Sequence, residues 1–212
     1  MAFNFGKRLE GTAYGVLNEI LSGYRSQDGF ARANRYEVML NAPTGEKGTG
    51  SSALQNIFSK VMQVAKGDGT VRKTGLRCES ISFPGRNLDT TPDTNIYGPT
   101  REIVSGFSFA ELSATFVCSS DMREKLFFET WQRLAFNTQT WSLGYYDDYV
   151  GSVDIHQLDE NDNKRYGVQL VEAFPKTIAE QSLGYAQNDT LHKINVTFSY
   201  RYWKNLTDEA DI

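Results

Sequence analysis

The sequence has few of the residues from which most enzymes build an active site. It contains two histidines and two cysteines in 212 residues, and neither histidine lies close in sequence to a cysteine. The usual ligand clusters of a zinc site are therefore missing. No GxSxG or HExxH arrangement is present either. We expect a protein that is not an enzyme and that uses no metal or cofactor.

Positive charge and long apolar runs are also scarce. Lys and Arg total 22 against 26 Asp and Glu, for a formal charge of −4, so no general excess of positive charge is available to neutralise nucleic-acid phosphates. No window approaches the roughly 20 apolar residues of a membrane span, and the N-terminus lacks a signal-peptide core. We expect no membrane anchoring, and we expect Cys78 and Cys118 to stay reduced in a cytosolically made protein.

Two motifs only partly match known ligand sites. Gly45 and Gly50 have the separation of a phosphate-binding loop, but Ser51 stands where the lysine must be. Asp159 begins a segment that resembles a calcium loop, but Lys164 replaces the glycine that the sharp turn needs. A flexible loop and a solvated hairpin turn are the better interpretations.

Alternating apolar and polar residues predict a mostly β protein. The final segment has the clearest alternation. Its first set of side chains is largely apolar: His192, Ile194, Val196, Phe198, Tyr200 and Tyr202. The other set is polar: Lys193, Asn195, Thr197, Ser199 and Arg201. Other predicted strands cover residues 35–41, 76–82, 101–106, 109–118, 150–158 and 165–173. We expect strands 101–106 and 109–118 to pair, and strands 150–158 and 165–173 to form a hairpin.

Three segments have helical spacing. A weak helix is predicted over Leu9–Leu21, and a second over 52–66, where Ser52 and Gln55 form a capping box. A third helix begins after Asp121, which we expect to be its cap together with Glu124. We therefore divide the chain into an N-terminal extension, residues 1–27, and a single β domain, residues 28–212, with a helical insertion at about 43–72.

Residues 86–99 are predicted to form a long polar loop, because prolines in and beside this stretch exclude an interior strand. We expect this loop to project from the domain.

Four stretches, taken in order, resemble the tail tube protein family of contractile-tailed phages. They are DGFARANRYEV (28–38), the strand and helix FAELSATFVCSSDMREKLFFETW (109–131), GVQLVEAFPKTIAEQSLGY (167–185) and INVTFSYRYW (194–203). In the third stretch, Phe174 and Pro175 are expected to end a strand.

The resemblance implies a β-sandwich or small barrel flanked by a helix, of which six copies close into a ring with one continuous inner barrel. It implies core packing by Phe116, Phe127, Trp131 and Phe198. The polar set of the last strand would face the channel or a partner. A projecting loop would stack successive rings, and its candidate residues are Arg86, Asp89, Asp93 and Tyr97.

By this resemblance the protein is a structural virion protein that builds the tail tube through which DNA is ejected. Its partners would be itself, the tail sheath and the baseplate, and DNA would pass through an acidic or neutral channel without specific binding. Assembly would take place in the host cytoplasm. A tube-initiating baseplate ring and a tail-terminator ring are alternatives. A soluble ligand-binding β-sandwich, with Tyr145, Tyr146 and Tyr149 as a stacking platform, is another.

Overall fold

The computed structural model of the protein describes residues 18, 21–22, 31–43, 70–94, 97–138 and 140–206. Two predicted helices are affected by these bounds. Of Leu9–Leu21, only Asn18 and Leu21 are described, both in helical conformation. The predicted helix at 52–66 lies outside the described residues.

The described segments are mostly strand, which confirms the prediction of a mostly β protein. In chain order they form β1 (Tyr36–Asn41), α1 (Thr70–Leu76), β2 (Cys78–Ile81), β3 (Asn87–Asp93), β4 (Arg101–Ser108), β5 (Leu112–Val117), α2 (Arg123–Ala135), β6 (Phe136–Asn137), β7 (Ser142–Leu143), α3 (Tyr146–Tyr149), β8 (Gly151–Leu158), β9 (Lys164–Ile178), β10 (Lys193–Ser199) and β11 (Tyr202–Asn205).

The main sheet has the strand order β1-β8-β9-β10-β5-β2, and β11 also pairs with β9. The long strand β9 pairs with β8 and β11 up to Ala173 and with β10 from Phe174 onward. At the junction Glu172 has a φ of 54°. Because such irregularities bend a strand, β9 can pass from one half of the sheet to the other, as strands do at the corners of sandwiches.

The prediction that Phe174 and Pro175 end a strand is therefore wrong. The register between β9 and β10 shifts at Thr197/Phe198, so that Thr197 lies opposite Thr177 and Phe198 opposite Pro175. Proline cannot donate a hydrogen bond to a neighbouring strand, and a bulge is one of the few sheet positions that accept it.

The core lies between the strands and helix α2. Phe116, Phe127, Trp131 and Phe198 are all at most 1% exposed. The rings of Phe116 and Phe128 are 5.0 Å apart, so helix α2 packs on the buried face of the sheet. Trp131 Nε1 donates a hydrogen bond of 2.8 Å to the Tyr149 carbonyl, which satisfies the one polar atom of its side chain.

Helix α2 begins differently from the prediction. Its N-cap is Met122, with a φ of 52° and no side-chain capping bond, and not Asp121. Asp121 instead forms an exposed ion pair with Arg123 at 3.1 Å. The Glu124 carboxylate accepts hydrogen bonds from the Ser119 backbone N–H at 2.8 Å and the Ser119 hydroxyl at 2.9 Å. Ser119, and not Asp121, is therefore the hydrogen-bond partner of Glu124 at the start of this helix.

The predicted pairing of residues 101–106 with 109–118 is also wrong. Strand β4 pairs with β3, whereas β5 pairs with β10 and β2. Half of the predicted loop at 86–99 is strand β3, and residues 94–100 connect this strand to β4. Pro92 is tolerated because it stands in a two-stranded sheet, where one edge of each strand needs no hydrogen-bond donor.

The predicted final strand is divided into two. The chain leaves β10 after Ser199, bends at Arg201, and continues as β11, which pairs with the first part of β9. The alternation in the sequence continues through this break, which is why the sequence suggested one strand. The chain thus passes from one half of the main sheet to the other, as β9 does at Glu172, and it pairs with β9 in both halves.

Candidate assembly surfaces

One face of the sheet formed by β10, β5 and β2 is polar, and the opposite face is buried. Ile194, Val196 and Phe198 of β10 are fully buried. Between them, Asn195 Oδ1 accepts a hydrogen bond of 2.9 Å from Thr115 Oγ1, and the hydroxyls of Thr197 and Ser113 lie 3.3 Å apart. We call this surface, with Thr177 opposite Thr197 on β9, the polar sheet face.

Four charged side chains flank the hydroxyl and amide groups of the polar sheet face. Lys193 Nζ lies 2.6 Å from Glu79 Oε1. Lys176 forms a second ion pair with Glu111, the residue just before β5. Because Glu111 precedes the buried Leu112, alternation puts its side chain on the polar side of the sheet. The two lysines and two glutamates cancel one another in charge.

The last two residues of the predicted polar set lie at the end of this surface. Ser199 is half-buried and lies opposite Phe174. Arg201 follows the end of β10, and its Nη1 is 2.9 Å from Glu172 Oε1. Arg201 thus joins the chain bend to the bulge of β9, and its charge is also balanced by a carboxylate.

The hairpin formed by β3 and β4 has apolar side chains in contact with solvent. Within the described part of the chain, its strands pair only with each other. Leu88 and Phe107 lie directly opposite each other and are 61% and 63% exposed. Ile103 and Val104 are 48% and 57% exposed. Such a concentration of exposed apolar side chains is typical of a surface that contacts another protein.

The base of the hairpin is fixed to the main sheet. The Arg86 guanidinium lies 4.7 Å from the centre of the Trp203 ring, and Trp203 Nε1 donates a hydrogen bond of 3.3 Å to the Gly85 carbonyl. At the same end of the hairpin, on the side of β4, the ring of Phe107 packs against Phe109, which packs against Tyr200. The hairpin therefore projects from an anchored base.

The residues predicted for a stacking loop occupy different parts of this hairpin. Arg86 is at its base, and Asp89 and Asp93 are in β3, where Asp93 pairs with Arg101 at 3.1 Å. Tyr97 is fully exposed in the connection between the strands. The sequence-based prediction did not include the exposed apolar side chains of the hairpin. Their signal in the sequence is the set of apolar residues in Arg101–Ser108, a strand that contributes nothing to the core of the described residues.

The three tyrosines proposed as a stacking platform do not share one surface. Tyr145 is 76% exposed, but Tyr149 packs edge-on against Tyr146 and Phe174. The Tyr146 hydroxyl donates to Glu172 Oε2 at 2.9 Å. Burial, followed by the hydrogen bond to Glu172, raises the pKa of Tyr146 to about 12. These rings stabilise the β9 junction and do not form an open platform.

Cys78, Cys118 and His156 are partly buried, and their surroundings are not those of reactive or metal-binding groups. Burial raises the pKa of the Cys78 thiol to about 12 and also raises that of Cys118, so neither is an activated thiolate. Burial lowers the pKa of His156, whose ring occupies space left by Gly167. In the described ranges no three His, Cys, Asp or Glu side chains are grouped to bind a metal ion. No helix described here has the length and apolar character for a transmembrane segment.

Comparison with known families and structures gives consistent matches. Residues 31–206 match the model of a family described as phage tail tube protein. Comparison with curated proteins gives no match. A chain of the anti-feeding prophage baseplate has a TM-score of 0.54 at 12% identity, covering 84% of this chain and 95% of that one.

Two further similar structures come from an extracellular contractile injection system named PVC. A chain of its sheath/tube terminator has a TM-score of 0.53 at 10% identity, covering 82% of this chain and 94% of that one. A chain of its sheath–tube complex has a TM-score of 0.51 at 10% identity, covering 84% and 93%. At these identities the likeness concerns the fold.

Proposed function

We propose, because the chain belongs to the phage tail tube protein family, that six copies close into a ring whose polar sheet faces line one continuous channel. The family is structural, so the protein is a structural subunit of a virion tail tube and not an enzyme. The ring, the channel lining and the stacking of rings are the parts that we infer for this chain.

The observation that carries the proposal is the two-sided character of the β10-β5-β2 sheet. The inner side chains of β10 and β5 are buried, whereas the outer side of the sheet carries hydroxyls, an amide and balanced ion pairs. A face of this kind can line a water-filled passage, as the interiors of wide barrels do. Helix α2 packs on the other side of the same sheet, which would put the helix on the outer wall of the tube.

Open strand edges support closure into a ring. β1 and β2 end the main sheet, and neither has a second neighbour among the described strands. An exposed edge readily pairs with another chain. Head-to-tail contacts between different surfaces of identical subunits give rings when the rotation closes and open stacks when it does not. The β3–β4 hairpin, including Asp89, Asp93 and Tyr97, would then supply the contact between successive rings.

Passage of DNA, contact with a sheath and baseplate, and assembly in the host cytoplasm complete the proposal. A face without net charge would let a polyanion move without being held. The outer wall, with helix α2, would meet the sheath. A ring at the baseplate or at the tube terminator is the second candidate, since similar folds occur in both of those structures.

Negative-stain electron microscopy with size-exclusion chromatography, before and after concentration, tests the proposal. We expect hollow tubes of uniform width built from six-fold rings. Rings that do not grow into tubes on concentration would favour the initiator or terminator role. A protein that stays monomeric at every concentration, and also when baseplates are added as nuclei, would contradict it.

A further inference from the structure

We infer that Glu79 and Glu111 prevent the channel from binding DNA, because each forms an ion pair with a lysine that would otherwise bind a DNA phosphate. This inference rests on the proposed function, in which the polar sheet face lines the channel. It adds a specific role for two carboxylates in the passage of the cargo.

The two lysines are accessible to a passing polyanion. The side chains of Lys193 and Glu79 are 45% and 40% exposed, and those of Lys176 and Glu111 are 54% and 46% exposed. Such groups stay in contact with solvent, so a lysine released from its carboxylate can reach a DNA phosphate. Lysine bound to phosphate releases counterions, and this release drives non-specific DNA binding.

The pairs join different strands across the polar sheet face. Glu79 on β2 reaches Lys193 on β10, and Glu111 before β5 reaches Lys176 on the second part of β9. Between the pairs lie neutral hydrogen-bonded groups, namely Thr115 with Asn195 and Ser113 with Thr197. Without the two carboxylates, this surface would carry two uncompensated positive charges in every subunit.

Folding does not require these pairs. Exposed ion pairs contribute little to stability, so replacing their carboxylates leaves the domain intact. The variants can therefore be studied as assembled tubes.

The test uses tubes of the wild type, E79Q/E111Q, K176Q/K193Q and the quadruple variant that carries all four changes. Binding of a short fluorescein-labelled DNA duplex is followed by anisotropy from about 50 mM to 200 mM salt. We expect E79Q/E111Q tubes to bind DNA at least about tenfold more tightly than wild-type tubes at the lowest salt, with a log–log slope steeper by about 0.9 for each lysine engaged. K176Q/K193Q tubes should bind no better than the wild type, and the quadruple variant should return to the wild-type level.

Equal DNA binding by E79Q/E111Q and wild-type tubes would overturn the inference. So would tight binding by the quadruple variant, since its lysines are absent. Should the double variant not assemble, Glu79→Gln and Glu111→Gln alone give the same test, each with the slope change of one lysine.

A separate measurement keeps this result distinct from the proposed function. Thr197→Cys is placed in tubes and treated with a small methanethiosulfonate and with a bulky polyethylene-glycol maleimide, and wild-type tubes give the background from Cys78 and Cys118. Labelling by the small reagent alone supports a channel position for Thr197, and unchanged DNA binding then overturns only the role of the carboxylates. Equal labelling by both reagents would contradict the channel face and, with it, this inference.

Discussion

Glu124 is a buried carboxylate at the start of helix α2, with its side chain 3% exposed. It forms an ion pair with Arg77 and accepts two hydrogen bonds from Ser119. Burial raises its pKa, but the hydrogen bonds from Ser119 and the charge of Arg77 outweigh this, so the pKa lies below its ordinary value of 4.5. Glu124 thus ties the segment between α1 and β2 to the start of α2.

Glu124→Gln is expected to lower the free energy of unfolding at pH 7 by about 1–3 kcal/mol, because a buried amide replaces the carboxylate that pairs with Arg77 and accepts two hydrogen bonds from Ser119. Because the pKa of Glu124 is lower in the folded state than in the unfolded state, the ionised carboxylate stabilises the folded protein above pH 4.5. This stabilisation is lost as the pH falls through the pKa of the folded state. The difference between wild type and variant should therefore shrink at pH 3. Urea unfolding at both pH values measures it.

Glu129→Gln on the same helix is the matched control. Its carboxylate lies 3.9 Å from Lys125 in a pair that is 40% exposed on both sides, so a change below about 0.5 kcal/mol is expected. Similar losses in the two variants would contradict the role assigned to Glu124.

Gly151 shows how closely the core is packed at the start of β8. A Cβ at this position would lie 2.3 Å from the Asn41 carbonyl oxygen and 2.8 Å from the Trp131 ring. We expect Gly151→Ala to destabilise the domain by about 1–3 kcal/mol, because strand and indole must move apart. Gly85→Ala is the control, since a Cβ there meets nothing within 4 Å. Thermal unfolding of both variants measures the difference, and an unchanged Tm for Gly151→Ala would contradict this packing argument.

At the scale of elements, the β3–β4 hairpin contributes little to the domain core but presents an apolar surface. The double variant L88S/V104S removes two hairpin side chains that are 61% and 57% exposed and that take no part in the anchored base. We expect the monomer to keep its Tm within a few degrees, whereas tubes shorten or fail to form, because an apolar contact between rings is lost. Electron microscopy counts the tubes, and circular dichroism gives the Tm.

Leu126→Ser controls for the loss of an exposed apolar side chain. Leu126 is 48% exposed on helix α2, away from the hairpin. The Leu126→Ser variant should form tubes as the wild type does. Normal tubes from L88S/V104S would contradict a role of the hairpin in the contact between rings.

The same hairpin shows which part of an element can be predicted from sequence. Alternation located β4, β8 and the start of β9 within two residues, but it ended β9 five residues too early. It did not give the partner of β4, because pairing depends on which strand edges meet in three dimensions. The predicted partner β5 was unavailable, since β10 and β2 occupy both of its edges.

At the scale of the whole molecule, the strand β9 joins the two halves of the sheet, since it crosses from one to the other at Glu172. The half that contains β10 and β5 has the polar sheet face on one side and helix α2 on the other. The hairpin leaves the same body from an anchored base. The protein thus has three separate surfaces, which we propose form the channel, the outer wall and the contact with a neighbouring ring.

The sequence by itself determined the class of fold, the family and the side chains of the core. These follow from local patterns: the period of two puts Ile194, Val196 and Phe198 on one face, and helical spacing brings Phe127 and Trp131 to one side of α2. Only the tertiary structure decided the pairing of β3 with β4, the passage of β9 between sheets, and the ion pairs of Lys176 and Lys193. Each of these joins residues far apart in the chain, and no local period encodes such contacts, because they depend on the packing of the whole domain.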